Sequence, residues 1–257
     1  MARPLKKCRL CGCERLLCNS HLLPKSMYKI LRAPNQTNPN PRFVSRDYNY
    51  STSKQVSDYL LCEECEQRFQ RLGESWMMAN CYRDQGTFRI RDLLQNARPL
   101  SNNNDIHVYE TAKLADFDAD ALIYFAISVI WRAAVHQWRI EGHLYSIDLG
   151  PYEEPFREFL LGKTSFPDRV VLSVRVAARP DALDVAYVPH VGKRDGVHFY
   201  KFCIPGLVFL ALVGGQIPEE HFRANTAPAT QRFVSIHPKS EEMDFIEIAK
   251  VVQAPKK

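Results

Sequence analysis

Two cysteine pairs of one spacing, Cys8-Arg9-Leu10-Cys11 and Cys62-Glu63-Glu64-Cys65, constrain this chain more than any other feature it carries. A C-x-x-C pair can turn two thiolates toward one tetrahedral ion, and two such pairs complete a closed structural zinc site of four cysteines. The chain must therefore fold back so that the two distant pairs meet. Its eight cysteines stand at 8, 11, 13, 18, 62, 65, 81 and 203. The opening MARPLKKCRLCGC is basic and lacks the apolar run of a secretory leader, so reduced thiols in a soluble, cytoplasmic protein are expected rather than disulfides. Cys13 and Cys18 are spare thiols beside the first pair, and either could replace a ligand in it. A redox C-x-x-C wants one pair at a helix start inside a βαβ unit, and no such pattern surrounds these cysteines.

The pairs sit in different local settings. Cys8 and Cys11 fall in a turn closed by Gly12, the form of a zinc knuckle. Cys62 follows the apolar Tyr59-Leu60-Leu61 and opens CEECEQRFQRLGESWMM, in which Leu61, Cys65, Phe69, Leu72 and Trp76 recur at three- and four-residue steps. That period predicts an amphipathic helix with the second pair in its first turn. Knuckle, intervening segment and cysteine-led helix together form a treble-clef plan.

Charge is concentrated in the same region. Residues 1 to 60 hold eleven Lys and Arg against three acids, Glu14, Asp47 and Asp58, while the whole chain is only +5. A basic first quarter suits a polyanion such as nucleic acid, although a solvated basic face has the same composition. After Pro24, LLPKSMYKILR predicts a helix carrying Lys25, Lys29 and Arg32 beside Met27, Tyr28, Ile30 and Leu31, able to pack on one side and meet phosphate on the other. A long stretch without helical or strand period follows, with Arg42, Arg46 and Lys54 mixed among Tyr48 and Tyr50.

The order Cys8-x-x-Cys11, Ser20-His21-Leu-Leu-Pro24, Leu61-Cys62-x-x-Cys65-Glu66 resembles the HNH (His-Me finger) endonuclease superfamily, in particular its bacterial members with SHxxP and LLCxxCE patterns. The resemblance covers about residues 8–80. It implies a ββα-metal nuclease site beside the structural zinc, with His21 as the general base that deprotonates a water and a Mg²⁺ or Mn²⁺ ion stabilising charge on the phosphate. It also implies nucleic acid, DNA first, as partner, and a setting in genome conflict such as phage defence. Where the family has an acid or histidine before the catalytic histidine, this chain has Ser20; where the last helix supplies a second metal ligand, it offers Glu66. The asparagine that orients the histidine is assigned to Asn49, from among Asn35, Asn38, Asn40 and Asn49. Other readings stand beside these. Glu66 could simply complement the helix dipole, and His21 could be a fifth zinc candidate or a polar group before the helix that Pro24 begins.

Beyond residue 98 the pattern changes. The polar run Pro99 to Asp105 marks a soft boundary between a zinc-binding unit, 1–98, and a second unit, 99–257. Asp118 can cap a helix from Ala119 to Trp138, apolar nearly all round, in which Arg132 is expected to be buried and paired and His136 hydrogen-bonded. A shorter helix from Pro151 to Leu161 ends at Gly162. Strands are expected at 170–176, 185–191, 197–204, 208–213 and 232–236, with Gly192 to Gly196 as a hairpin loop. Helices followed by strands indicate α+β with a mostly antiparallel sheet. No stretch is apolar for long enough to span a membrane. Residues 99–257 could dock a protein partner or a second copy. A non-catalytic treble-clef module that binds nucleic acid or a protein is the alternative to the nuclease.

Overall fold

The computed structural model describes residues 2–31, 42–44, 49–52, 54–83, 87–103, 106–178, 185–222, 225–228 and 231–236. In chain order these form strands β1 (Leu5–Lys7) and β2 (Glu14–His21), helix α1 (Met27–Ile30), and strands β3 (Arg42–Val44), β4 (Asn49–Ser51) and β5 (Ser57–Cys62). Helices α2 (Glu63–Phe69) and α3 (Ser75–Asn80) follow, joined by a π-helical turn at Gln70–Glu74, then α4 (Arg89–Gln95), β6 (Ser101–Asn103) and β7 (Ile106–Glu110). The rest comprises α5 (Ala119–Val135), β8 (Trp138–Ile140), β9 (His143–Tyr145), α6 (Glu153–Leu160), β10 (Val170–Val176), β11 (Val185–Arg194), β12 (Val197–Ile204), β13 (Leu207–Val213) and β14 (Phe233–Ile236). No helix among the described residues is long and apolar enough to cross a membrane.

The expected α+β class is what the chain forms. A small antiparallel sheet, β1-β2-β5, carries the cysteine turns. A nine-stranded sheet runs β4-β3-β11-β12-β13-β10-β14-β7-β6, antiparallel except where β3 pairs with β11 and β14 with β10. Asp118 caps α5 as its sequence suggests, its carboxylate accepting from the Ala121 N–H at 2.8 Å. Trp138 has left that helix and opens β8, where its indole N–H donates to the Arg132 carbonyl at 2.8 Å. The hairpin loop shrinks to Asp195 and Gly196, both at positive φ, because a two-residue turn of that hand matches the twist of the strands it joins.

Helix α5 is apolar all round because it is covered on both sides. Every residue from Ala121 to Ala133 is buried. Phe125 meets Phe202 of β12 and Phe209 of β13, at ring separations of 6.3 and 5.7 Å, while Tyr124 and Trp131 meet Phe69 of α2 at 5.9 and 6.2 Å. The boundary expected near residue 98 is thus crossed repeatedly. Strands β3 and β4 belong to the large sheet, α5 packs on α2 and the π turn, and Arg157 of α6 donates to the Leu10 carbonyl at 2.6 Å. Buried residues from Cys8 to Ile236 form one continuous core.

One expectation inside the cysteine-led helix needs correction. The inward residues are Cys65, Phe69, Gly73 and Met77, four apart throughout, whereas Leu72 is 36% exposed. A spacing of four outruns the 3.6 of an α-helix, and the π turn absorbs the difference. Gly73 rather than Leu72 faces inward because the helix crosses α5 there; a Cβ on Gly73 would lie 2.9 Å from the Phe125 backbone nitrogen. Gly→Ala inside a helix ordinarily stabilises by about 1 kcal/mol. Here Gly73→Ala is expected to destabilise by about 1–3 kcal/mol, as overpacking against unyielding backbone does, read as a lowered chemical-denaturation midpoint.

Candidate metal centre and adjoining cleft

The first cysteine pair is shaped by backbone hydrogen bonds, with the Arg157 side chain holding the Leu10 carbonyl. The Gly12 N–H donates to the Cys8 carbonyl at 2.9 Å and the Cys8 N–H to the Cys13 carbonyl at 2.9 Å, a tight turn that Gly12 closes at φ +76°. The second pair opens α2, with Cys62 at its N-cap and Cys65 one turn in. Pairing of Leu17 with Cys62 brings the two together. The Sγ atoms of Cys8, Cys11, Cys62 and Cys65 then lie within 4.8 Å of one another, and those of Cys11 and Cys62 are 3.9 Å apart. Four sulfurs each about 2.3 Å from one tetrahedral ion would be about 3.8 Å apart, so the set can hold a metal ion. Cys13 is exposed and Cys18 lies in the neighbouring cleft; neither joins the four.

The electrostatics of the four thiols ask for a cation. The Cys65 thiol and nearby backbone N–H groups, Cys62 N among them at 3.3 Å, pull Cys8 down to about 4. Its hydrogen bond to Cys8 pushes Cys65 up, and burial raises Cys62 to about 11. Without a positive ion the Cys8 thiolate forms at the cost of Cys62 and Cys65.

Beside this knot opens a cleft of about 830 Å³. Asn19 and His21 from β2, Lys25, Ser26 and Lys29 around α1, Glu63, Glu66 and Gln67 from α2, Gln70 and Glu74 from the π turn, and Arg132 from α5 all line it. The local chain explains why these residues arrive there. Between the Leu17–Cys62 and Asn19–Tyr59 pairs, β5 carries one residue more than β2, a bulge that turns the adjacent Leu60 and Leu61 both inward. The fully buried Ser20 hydroxyl accepts the Leu61 N–H at 3.1 Å. Ser20 therefore serves the Leu61 backbone and the neighbouring Glu66 carboxylate as a structural side chain.

His21 ends β2 half-buried. Its Nε2 is 2.7 Å from Gln55 Oε1, its ring meets Tyr28 edge-on at 6.0 Å, and its carbonyl accepts from Arg132 Nη1 at 2.9 Å. An amide oxygen only accepts, so the imidazole donates from Nε2 and carries its lone pair on Nδ1. Burial, the largest cause, holds the imidazole below the usual histidine range against the opposing hydrogen bond to Gln55, with lesser downward pulls from the charges of Lys25 and Arg132 and a lesser upward one from Glu74. The ring is neutral at pH 7.

Of the three cleft carboxylates, Glu66 and Glu74 reach inward and differ. Glu74 Oε1 is 2.7 Å from Arg132 Nη2. Glu66 Oε1 is buried without a hydrogen-bond partner among the described residues, and burial raises its pKa against the Ser20 hydroxyl and Arg132. An orphaned carboxylate oxygen in an open cleft fits a hard cation, which a purely dipole-complementing glutamate at a helix start does not require. Among the described residues no second group of three or more Cys, His, Asp or Glu side chains gathers as the four cysteines do.

Other expected site residues fall elsewhere. Lys25 and Lys29 are exposed on the cleft. Asn49 lies on β4 and Arg42 on β3, both in the large sheet rather than between β2 and β5, and it is Gln55 that meets the imidazole. Arg32 and Arg46 lie outside the described residues. Sequence reasoning missed Gln55 altogether and did not connect Arg132 with His21. A lone cation in an otherwise apolar helix was a usable signal, since a buried guanidinium must find a partner.

No family model matches the chain, and neither a curated protein nor a solved structure matches it.

Proposed function

We propose that the chain is a metal-dependent endonuclease that hydrolyses nucleic-acid phosphodiester bonds in the cleft between β2 and the α2–α3 helix. The observation that carries this reading is the convergence, in one open cleft, of a neutral oriented imidazole, an unpartnered buried carboxylate oxygen and two exposed lysines. The knuckle, the β2–β5 pair and the cysteine-led helix read together as a treble-clef finger of the His-Me type, braced by a structural zinc on Cys8, Cys11, Cys62 and Cys65. Lys25 and Lys29 hold the phosphate backbone without reading sequence. His21 takes a proton from the attacking water at Nδ1 while Gln55 fixes the ring through Nε2. Glu66 is the side chain that would hold a Mg²⁺ or Mn²⁺ ion, which when bound supplies Lewis-acid stabilisation of the phosphate and leaving oxygen. DNA is the first substrate to test, and defence against foreign DNA is the role that the family resemblance suggests.

Plasmid and single-stranded DNA cleavage with Mg²⁺ or Mn²⁺, wild type against His21→Ala, tests the proposal. Cleavage is expected to fall by about 10²-fold or more in the variant, the usual worth of a general base. Because its environment lowers the histidine pKa, wild-type kcat/KM is expected to rise with pH, reach half its plateau below about 6.5, and stay flat through neutrality. A half-point above that value, or equal cutting by both proteins, would reject His21 as the base. The binding-module alternative draws on a separate observation, that Glu74 is already paired with Arg132 and the Ser20 hydroxyl accepts the Leu61 N–H, which leaves the cleft few oxygens for a hard cation. It predicts that both proteins bind DNA equally and neither cuts it.

A further inference from the structure

We infer that Arg132 is a positioning residue for the His21 base, so that α5, far along the chain, is a working part of the cleft. This rests on the reading of His21 as the base.

The guanidinium is only 1% exposed, yet it is more constrained than a core side chain needs to be. Nη1 donates to the His21 carbonyl at 2.9 Å, Nη2 pairs with Glu74 at 2.7 Å and reaches Ser128 Oγ at 3.4 Å, and Nε donates to the Ser128 carbonyl at 3.3 Å. Its plane lies over the Phe69 ring at 5.3 Å. Ser128 is one turn back on the same helix, Glu74 is on the π turn, and Phe69 is on α2, so three elements fix the fork before it touches β2. A buried ion pair is a poor stability device, since apolar residues of similar volume do as well or better. What this pair provides is geometry. The last residue of β2 is held by a rigid group, while Gln55 and Tyr28 hold its ring. Lysine cannot replace it, because an ammonium lacks the planar fork that serves a carboxylate and a carbonyl in different directions.

The test compares zinc-loaded full-length wild type with Arg132→Lys and with Arg132→Met/Glu74→Gln, the second variant leaving no uncompensated charge to threaten the fold. Zinc content and thermal midpoint report folding. Both variants are expected to lose about 10²-fold in kcat, the scale of an ångström-sized misplacement, with KM within about threefold because Lys25 and Lys29 are untouched. Since Glu74 is intact in Arg132→Lys, a loss common to both variants belongs to Arg132. Independently of activity, ¹⁵N NMR of His21 is expected to show the Nε2–H tautomer in wild type and an averaged pair of nitrogens in both variants. Unchanged kcat and unchanged nitrogen signals in folded variants would overturn the inference while leaving the nuclease proposal intact. If wild type does not cut but the nitrogen signals shift as stated, the nuclease proposal falls and the hold of Arg132 on His21 stands.

Discussion

A chain stripped of metal by a strong chelator is expected to lose the β1-β2-β5 sheet and the α2–α3 helix, and with them the cleft. The four sulfurs sit within 4.8 Å of one another, and three of them, on Cys8, Cys62 and Cys65, are on buried residues. Without the ion, Cys8 ionises while burial and its neighbours keep Cys62 and Cys65 protonated, so the knot must hold an unneutralised thiolate or open. Structural zinc supplies an apparent ~10–16 kcal/mol in finger peptides, against a total stability of ~5–15 kcal/mol for a typical domain. A zinc ion bound by these four cysteines would therefore be worth as much as the fold around it. The nine-stranded sheet has packing of its own, such as the Phe202–Phe209 stack at 4.5 Å, and is expected to survive, unfolding in the one transition that remains. Its midpoint is expected to fall as well, because α5 packs on both regions. Calorimetry with and without chelator, beside metal analysis expected to find about one zinc per chain, checks this. Cys62→Ser is expected to behave as the chelated protein does. A metal-free chain with an unchanged calorimetric trace would refute the structural role of the four cysteines.

Local periodicity explains what the sequence made legible. The strands from Val170 onward and the cap and start of α5 could be read because their signals lie within a few residues of one another, as alternating apolar positions or as an aspartate before an apolar run. The cysteines were legible for a different reason, since their spacing encodes the ion's geometry rather than the chain's. Strands β3 and β4 were not legible, because each is three residues long, β3 owes its existence to pairing with β11, more than a hundred positions away, and β4 in turn pairs on β3. Leu72 misled because an α-helical period cannot show that a π turn shifts the buried stripe onto Gly73. The partners of His21 escaped for the same non-local reason. Gln55 sits in the polar run STSKQVSD with nothing to single it out, and Arg132 reaches the imidazole's backbone across 111 positions.

Removing Glu74 alone from the Arg132–Glu74 pair is expected to cost more stability than removing both residues. The two residues are not equivalent: Glu74 keeps 16% of its side chain exposed to the cleft, whereas Arg132 keeps 1%. A carboxylate left alone can take up a proton and become neutral, but a guanidinium cannot shed one in this pH range. Glu74→Leu should therefore leave a buried, permanent and uncompensated charge, at about 3–5 kcal/mol. In Arg132→Met the carboxylate can neutralise itself, and the loss is dominated by the stranded His21 carbonyl, about 1–3 kcal/mol for an unsatisfied buried acceptor. The double variant Arg132→Met/Glu74→Leu removes both charges and keeps only that second cost, so it should be more stable than Glu74→Leu alone. Urea denaturation of the four proteins closes the cycle, with a coupling of at least about 2 kcal/mol expected for two groups in direct contact. Additive losses would mean that water entering the cleft already screens the pair, and the rigidity ascribed to Arg132 would have to come from Ser128 and Phe69 instead.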